Sequence, residues 1–244
     1  AGSTMYVTPV VFLAANTPRS KAYAQAIQHA GLRVDKVVLY GFENETQTGL
    51  VGPESWVTSE LFLPDLRQPL QLSLAAIADR VVTLTERDLN APAVAQALFE
   101  DDPKLVIFSG FGGQIVPREL LENRPPMLHM HAGWLPEFRG STTTYYSLLE
   151  EQRCGVSALF LSPEIDMGRI VKRKHFALPP AGTDIDYLLD GAMRADVLVA
   201  VLCEWYDRQD LRTESQDEGS GRMYYVIHPL LKHLAIVSLP QRNI

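Results

Sequence analysis

An α/β chain built on a doubly wound, mostly parallel sheet is predicted by two features of the sequence. Short apolar runs alternate with segments of helical period along most of the chain, and the first three segments read as a βαβ unit. Composition is compatible with this: 244 residues, 46% hydrophobic and 21% charged, describe an ordinary globular chain of one large domain, or one plus an appendage.

The elements follow in order. Residues 9–14 are a continuous apolar strand, 20–30 a helix stopped by Gly31, and 34–40 a second strand. Residues 81–84 are a third strand, 92–99 a helix opened by Pro92, and 104–108 a strand with Gly110, Gly112 and Gly113 behind it. A helix is predicted over 118–122 after Pro117, a strand over 127–130, and a helix over 140–151. Strands 156–161 and 170–176 face each other across the loop that holds Asp166. Residues 184–205 carry Leu, Ile, Val and Ala at helical spacing and read as one long C-terminal helix. A polar linker over 215–221 leads to an aromatic, strand-like piece at 223–229 and a short leucine-rich end. The chain divides on this reading into a catalytic body, 5–180, and a C-terminal helix and tail packed on it, 181–244. The tail suits a substrate or homodimer contact, or an edge strand closing the core.

Net charge is −7, and Lys172-Arg173-Lys174 is the one basic cluster, reading as a strand edge in solvent; no nucleic-acid partner is expected. Cys154 and Cys203 are too few for a disulfide framework, which points to a reducing, cytoplasmic setting. Ala1-Gly2-Ser3-Thr4 before Met5 reads as an appended leader, not a signal peptide. The apolar run at 197–203 stops at Glu204, short of the roughly 20 residues a spanning helix requires, so no membrane association is expected.

Chemistry concentrates at His129-Met130-His131-Ala132-Gly133-Trp134-Leu135-Pro136-Glu137-Phe138-Arg139-Gly140, followed by Ile165-Asp166-Met167-Gly168. Alternate residues of a strand share a face, so His129 and His131 point the same way, at the carboxyl end of a strand where open α/β sheets bind ligands. Two imidazoles and a carboxylate suit acid–base chemistry; as a two-histidine, one-carboxylate set they also suit a metal-dependent enzyme or hydrolase. Two histidines satisfied within a surface loop is the bland alternative. Gly110-Phe111-Gly112-Gly113 lacks the spacing of a dinucleotide loop. Near the amino end, Asn16, Arg19 and Ser20 stand where a helix begins and suit side-chain contacts to a phosphate, carboxylate or sugar hydroxyl of a substrate, while Asn16 or Thr17 equally suits capping.

These motifs resemble the formyltransferases that use 10-formyltetrahydrofolate on glycinamide ribonucleotide, methionyl-tRNA and sugar-nucleotide amines. The family pattern Asn-x-His-Pro-Ser-Leu-Leu-Pro-x-Tyr/Phe-Arg-Gly ends here as Leu135-Pro136-Glu137-Phe138-Arg139-Gly140. Its Gly-Val-[ST] strand is Gly155-Val156-Ser157, and its Ile-Asp-x-Gly loop is Ile165-Asp166-Met167-Gly168. The segment 108–117 is similar to the family's upstream strand and turn, and Asp88-Leu89-Asn90 to its earlier Asn-containing loop. The resemblance covers residues 81–177 and the flanks by pattern only.

The resemblance implies a formyltransferase-like fold and an N-formyltransferase that moves a formyl group from 10-formyltetrahydrofolate to the amine of a small metabolite, an amino sugar nucleotide or amino acid derivative. It places Phe111, Gly112, Gly113, Gln114, Ile115 and Ile165 at the cosubstrate and Arg139 at the substrate, with no metal. It gives His129 and His131 the oxyanion, and gives Asp166 the positioning and relay of a proton and the raising of an imidazole's pKa. One position departs: the family asparagine falls on His129, and its Pro-Ser on Ala132-Gly133. A tuned transferase, a hydrolase or metal enzyme on the same scaffold, and a catalytically silent binding protein all accommodate that change. The N-terminal turn also lacks the glycines of a glycinamide ribonucleotide phosphate cradle.

Overall fold

The computed structural model describes residues 2–58, 60–217 and 219–242. Seven strands form the central sheet in the order β3-β2-β1-β4-β5-β7-β8. They are β1 Met5–Ala15, β2 Leu32–Tyr40, β3 Arg80–Thr83, β4 Leu105–Ser109, β5 Met127–His131, β7 Cys154–Phe160 and β8 Ile170–Phe176. β3 through β5 are mutually parallel, while β7 runs antiparallel to both β5 and β8. Sequence order reverses between β1 and β4, the kind of switch point outside which such sheets open a crevice.

β1 shows how the two layers form. Val10, Phe12 and Ala14 enter one apolar cluster with helices α1 (Pro18–His29) and α5 (Asp190–Arg208), while Val11, Leu13 and Ala15 enter the other with α3 (Pro92–Phe99). A strand buried on both faces needs no alternation, which is why it reads as a continuous apolar run. On β5, Leu128 and Met130 join the first cluster, which leaves His129 and His131 together on the opposite face. The expectation of a shared face is correct.

Several expected elements differ. The helix expected at 118–122 is a single 3₁₀ turn, Arg118–Leu120, confined between Pro117 and the positive-φ residue Asn123, with one α-type bond from Glu122 N to the Arg118 carbonyl at 2.9 Å. The helix expected at 140–151 is α4, Thr143–Glu151, because Gly140 ends a short strand, β6 (Phe138–Gly140). Helix α2, Leu70–Ala75, was not legible: it spans less than two turns and packs into the first cluster through Leu70 and Leu74. The long helix begins with a π turn, Ile185–Leu189, capped by Asp184, and continues as α5. Among the described residues of the tail, Arg222–Tyr224 is the one strand, β9. It pairs with β6 rather than with the edge of the main sheet, and Pro229–Val237 forms helix α6. Among the described residues no helix is long and apolar enough to cross a membrane.

Candidate active site

A cavity of about 650 Å³ opens at the carboxyl ends of β4 and β5. His129, His131 and Asp166 line it together, with Phe111, Gly112, Gly113, Gln114, Ile115, Ile165 and Arg19. Asn16, Ser20 and Arg139 are not among its lining residues, so three of the four residues expected at the substrate stand outside the wall.

The loop after β5 is fastened from three sides. Ser157 donates to the Gly133 carbonyl at 2.7 Å and accepts from Leu135 N at 2.9 Å, and Thr143 donates to the Ala132 carbonyl at 2.5 Å. Arg173 donates to the Leu135 carbonyl at 2.8 Å. This brings the Phe138 carbonyl within 2.6 Å of His131 Nε2. A carbonyl only accepts, so Nε2 carries the proton and a neutral His131 presents Nδ1 as a base. Its single N–H is spent on Phe138, which corrects the expectation that His131 donates to an oxyanion. Gly133 stands where the family pattern has Ser. A Cβ there would lie 2.7 Å from both His131 Nε2 and the Phe138 carbonyl, so the close approach of the imidazole requires glycine.

Asp166 faces the other nitrogen. Its Oδ1 lies 3.6 Å from His131 Nδ1, and its Oδ2 accepts from Gly140 N at 2.8 Å. Its backbone is left-handed, φ +53°, a conformation Asp tolerates better than most residues. At Gly168 a Cβ would run into the Phe160 carbonyl, which accounts for the glycine of the Ile-Asp-x-Gly loop. Gln216, which no local signal marks, donates from Nε2 to the carbonyls of Asp166 and Gly168 at 2.8 and 2.7 Å. Arg139 is buried and donates to Gln216 Oε1 at 3.1 Å and to the Ser220 carbonyl, so its guanidinium braces the incoming tail.

His129 is half-buried and pairs with Phe108 across the parallel ladder, ring centroids 6.1 Å apart. Its Nδ1 is buried without a partner. An orphaned lone pair is less costly than an orphaned N–H, which favours the tautomer protonated on Nε2. Burial, then the cations of Arg194 and Arg19, then His131, hold His129 well below the ordinary imidazole value. His131 is also lowered: burial outweighs the opposing pull of Asp166 and the Phe138 carbonyl. The expected rise through Asp166 is real in sign but is overcome. Arg194, on α5, donates to the Met130 carbonyl at 2.7 Å and pairs with Asp190 at 3.0 Å, and Arg19 stands 4.0 Å from the same carboxylate.

The remaining wall is braced by its neighbours. Gln114 accepts from Tyr40 OH at 2.7 Å and donates to the Arg87 carbonyl at 2.9 Å, while Phe111 packs edge-on against Tyr40 at 5.4 Å. Ile115 and Ile165 line the cavity yet remain exposed. Thr17 caps α1, Asn16 donates to the Asn44 carbonyl at 2.9 Å, and buried Ser20 meets Ser109 at 2.9 Å. His228 caps α6 by accepting from Leu230 N. Lys172, Arg173 and Lys174 pair with Glu204, Glu214 and Asp196. Among the described residues, no three His, Cys, Asp or Glu side chains are grouped to hold a metal ion.

Comparison with known proteins bears on the family and the fold. The methionyl-tRNA formyltransferase of Chloroflexus aurantiacus is 32% identical over 157 residues, covering 62% of this chain and 49% of that protein. That of a Sulfurovum species is 24% identical over 156 residues, covering 64% and 50%. The chain thus spans about half the length of the curated relatives it matches. A sugar N-formyltransferase from a Shewanella species has a similar fold, with a TM-score of 0.56 at 15% identity over 95% of this chain and 86% of that one. HypX from Aquifex aeolicus in complex with tetrahydrofolic acid gives a TM-score of 0.53 at 17% identity, over 91% of this chain and 30% of HypX. A family model described as formyl transferase matches residues 10–188, a span that holds β5, the Gly133 turn and the Asp166 loop, and the chain belongs to that family.

Proposed function

We propose that this chain transfers a formyl group from 10-formyltetrahydrofolate to the amine of a small metabolite, an amino sugar nucleotide or an amino acid derivative. The observation that carries the reading is the meeting of His129, His131 and Asp166 in one cavity wall of a formyl transferase family chain. The cavity has room for a folate-sized group, and apolar Phe111, Ile115 and Ile165 with the backbone of Gly112 and Gly113 would hold it. When bound, the cosubstrate supplies the activated formyl group.

The side chains divide the work by their hydrogen bonds. His129, neutral and protonated on Nε2, donates toward the oxygen on which charge builds, the part taken by asparagine in the family pattern. His131 is fixed by Phe138, so its Nδ1 would receive the proton that leaves the amine as its nitrogen bonds to the formyl carbon, and would return it to N10 as the formyl C–N10 bond breaks and tetrahydrofolate leaves. Asp166 stabilises the imidazolium so formed and is itself held by Gly140 N and Gln216.

The test is a panel of nucleotide-linked amino sugars, amino sugar phosphates, amino acids and methionyl-tRNA with 10-formyltetrahydrofolate, read by mass spectrometry of the product. Formylation of a small amine supports the reading. His129 in place of asparagine favours one competitor, a scaffold that has left formyl transfer; inactivity across the panel in both the wild type and His129→Asn selects it.

A further inference from the structure

We infer that Arg194 is the positioning residue that lets a histidine stand at 129 where the family pattern has asparagine: it ties down the strand between the two histidines and sets a permanent cation in the wall beside the imidazole. This deepens the reading of the cavity as a formyl-transfer site and rests on it.

An asparagine amide gains no proton, whereas an imidazole can, and it then stands as a charge in the wall instead of a neutral single donor. The surroundings of His129 oppose that proton. Arg194 Nη1 donates to the Met130 carbonyl at 2.7 Å, so its guanidinium is fastened between His129 and His131. Its Nε stands 3.0 Å from Asp190 Oδ2, and Arg19 Nε stands 4.0 Å from the same oxygen. Both arginines line the cavity with His129. Gly191 permits this: a Cβ there would lie 3.0 Å from the Cβ of Ala22, so α1 and α5 approach closely enough for two cations to share one carboxylate. One positive charge of the two is left over. The imidazole offers no place for the proton either, because Nδ1 is buried with no acceptor beside it among the described residues.

The other charged groups of the wall are engaged elsewhere. Asp186 accepts from Tyr145 OH and pairs with Lys232 at 2.7 Å, Asp166 is taken by His131 and Gly140 N, and Glu164 is exposed. Tyr23 on α1 is fully buried and held protonated by that burial, and tail residues 223–226 form part of the wall without bringing a charge. Burial, Arg194, Arg19 and His131 together disfavour the imidazolium of His129, and no carboxylate offsets them.

The experiment is a proton NMR titration of the histidine Cε1–H signals, that of His129 identified by its loss in His129→Asn, with thermal melts to establish folding. Arg194→Gln keeps side-chain donors but removes the charge, and Arg194→Lys keeps the charge. The His129 midpoint should lie below the ordinary imidazole value in the wild type and Arg194→Lys, and should rise toward it in Arg194→Gln. Arg19→Gln leaves Arg194 fully paired with Asp190 and should move the midpoint the same way; it decides the matter if Arg194→Gln does not fold. In the transfer assay Arg194→Gln should lower kcat/KM about tenfold in the wild-type background and less than about threefold in the His129→Asn background, as coupled neighbours do. An unmoved His129 midpoint, a midpoint raised as far by Arg194→Lys as by Arg194→Gln, or equal kinetic losses in the two backgrounds would each overturn the inference. A raised midpoint with no amine formylated leaves the placement of Arg194 standing and removes the transfer reading. Formylation with an unmoved midpoint does the reverse.

Discussion

The side-chain amide of Gln216 reaches the backbone carbonyl of Asp166 at 2.8 Å, so a residue in the tail holds the loop that carries the site's carboxylate. The same amide spans to Gly168, and its oxygen is held by Arg139, which follows the histidine loop. Gln216→Ala would leave two carbonyls without their donor and Asp166 free to leave its left-handed conformation. We expect kcat/KM to fall by about tenfold and the melting temperature to drop by several degrees, since a lost buried hydrogen bond costs about 1–3 kcal/mol. Steady-state kinetics and a thermal melt check this; unchanged kinetics would remove Gln216 from the support of the site.

His131 and Asp166 carry the proton transfer in the proposed mechanism. His131→Ala should lose about 10²–10⁴ in turnover while keeping the fold. Undiminished formyl transfer by that variant would falsify the assignment.

The pH profile follows from the same pair. His131 is lowered in the folded chain and acts neutral, so the acid limb of kcat/KM should lie below the ordinary imidazole value, with activity lost as pH falls through it. Asp166→Asn preserves an acceptor for Gly140 N but removes the charge that raises His131, and the acid limb should move lower still. His129 is already neutral there and contributes no inflection near its ordinary value. A limb unmoved by Asp166→Asn would separate the carboxylate from the titrating imidazole.

His129 and the asparagine of the family pattern should be interchangeable in part. His129→Asn restores an amide donor and should retain much of the activity, whereas His129→Ala should lose about 2.7–4 kcal/mol of transition-state stabilisation, the amount such donors supply. Equal loss in both variants argues against the donor role.

Gly133→Ala tests the packing of the imidazole. The added methyl has no space between His131 and the Phe138 carbonyl, so the ring must shift. A fall in kcat of tenfold or more is expected, with about 1–3 kcal/mol of destabilisation from overpacking. Activity equal to the wild type would show that the ring relaxes without cost to the chemistry.

The histidine-bearing face of β5 was legible because a period of two puts His129 and His131 on one side whatever surrounds them, and the apolar neighbours Leu128 and Met130 name the buried side. The Asp166 loop was legible only as part of a resemblance, since nothing local connects it to the histidines. Arg139 illustrates the limit: the motif marks the residue, but its guanidinium is directed at Gln216 and Ser220, both distant in sequence. The tail's wall, the Arg194 contact with β5 and the sharing of Asp190 were likewise out of reach.

The sequence by itself determined the alternation of strands and helices, the βαβ opening, the common face of the two histidines and the family. These depend on local period, turn chemistry and contiguous motifs, which neighbouring residues settle among themselves. Only the tertiary structure decided which nitrogen of His131 is free, that burial outweighs Asp166 in setting its charge, and that Gln216 and residues 223–226 reach back to the site. Those properties arise where segments far apart in the chain exclude water from one another, and the strength and partners of a polar group are set by that exclusion.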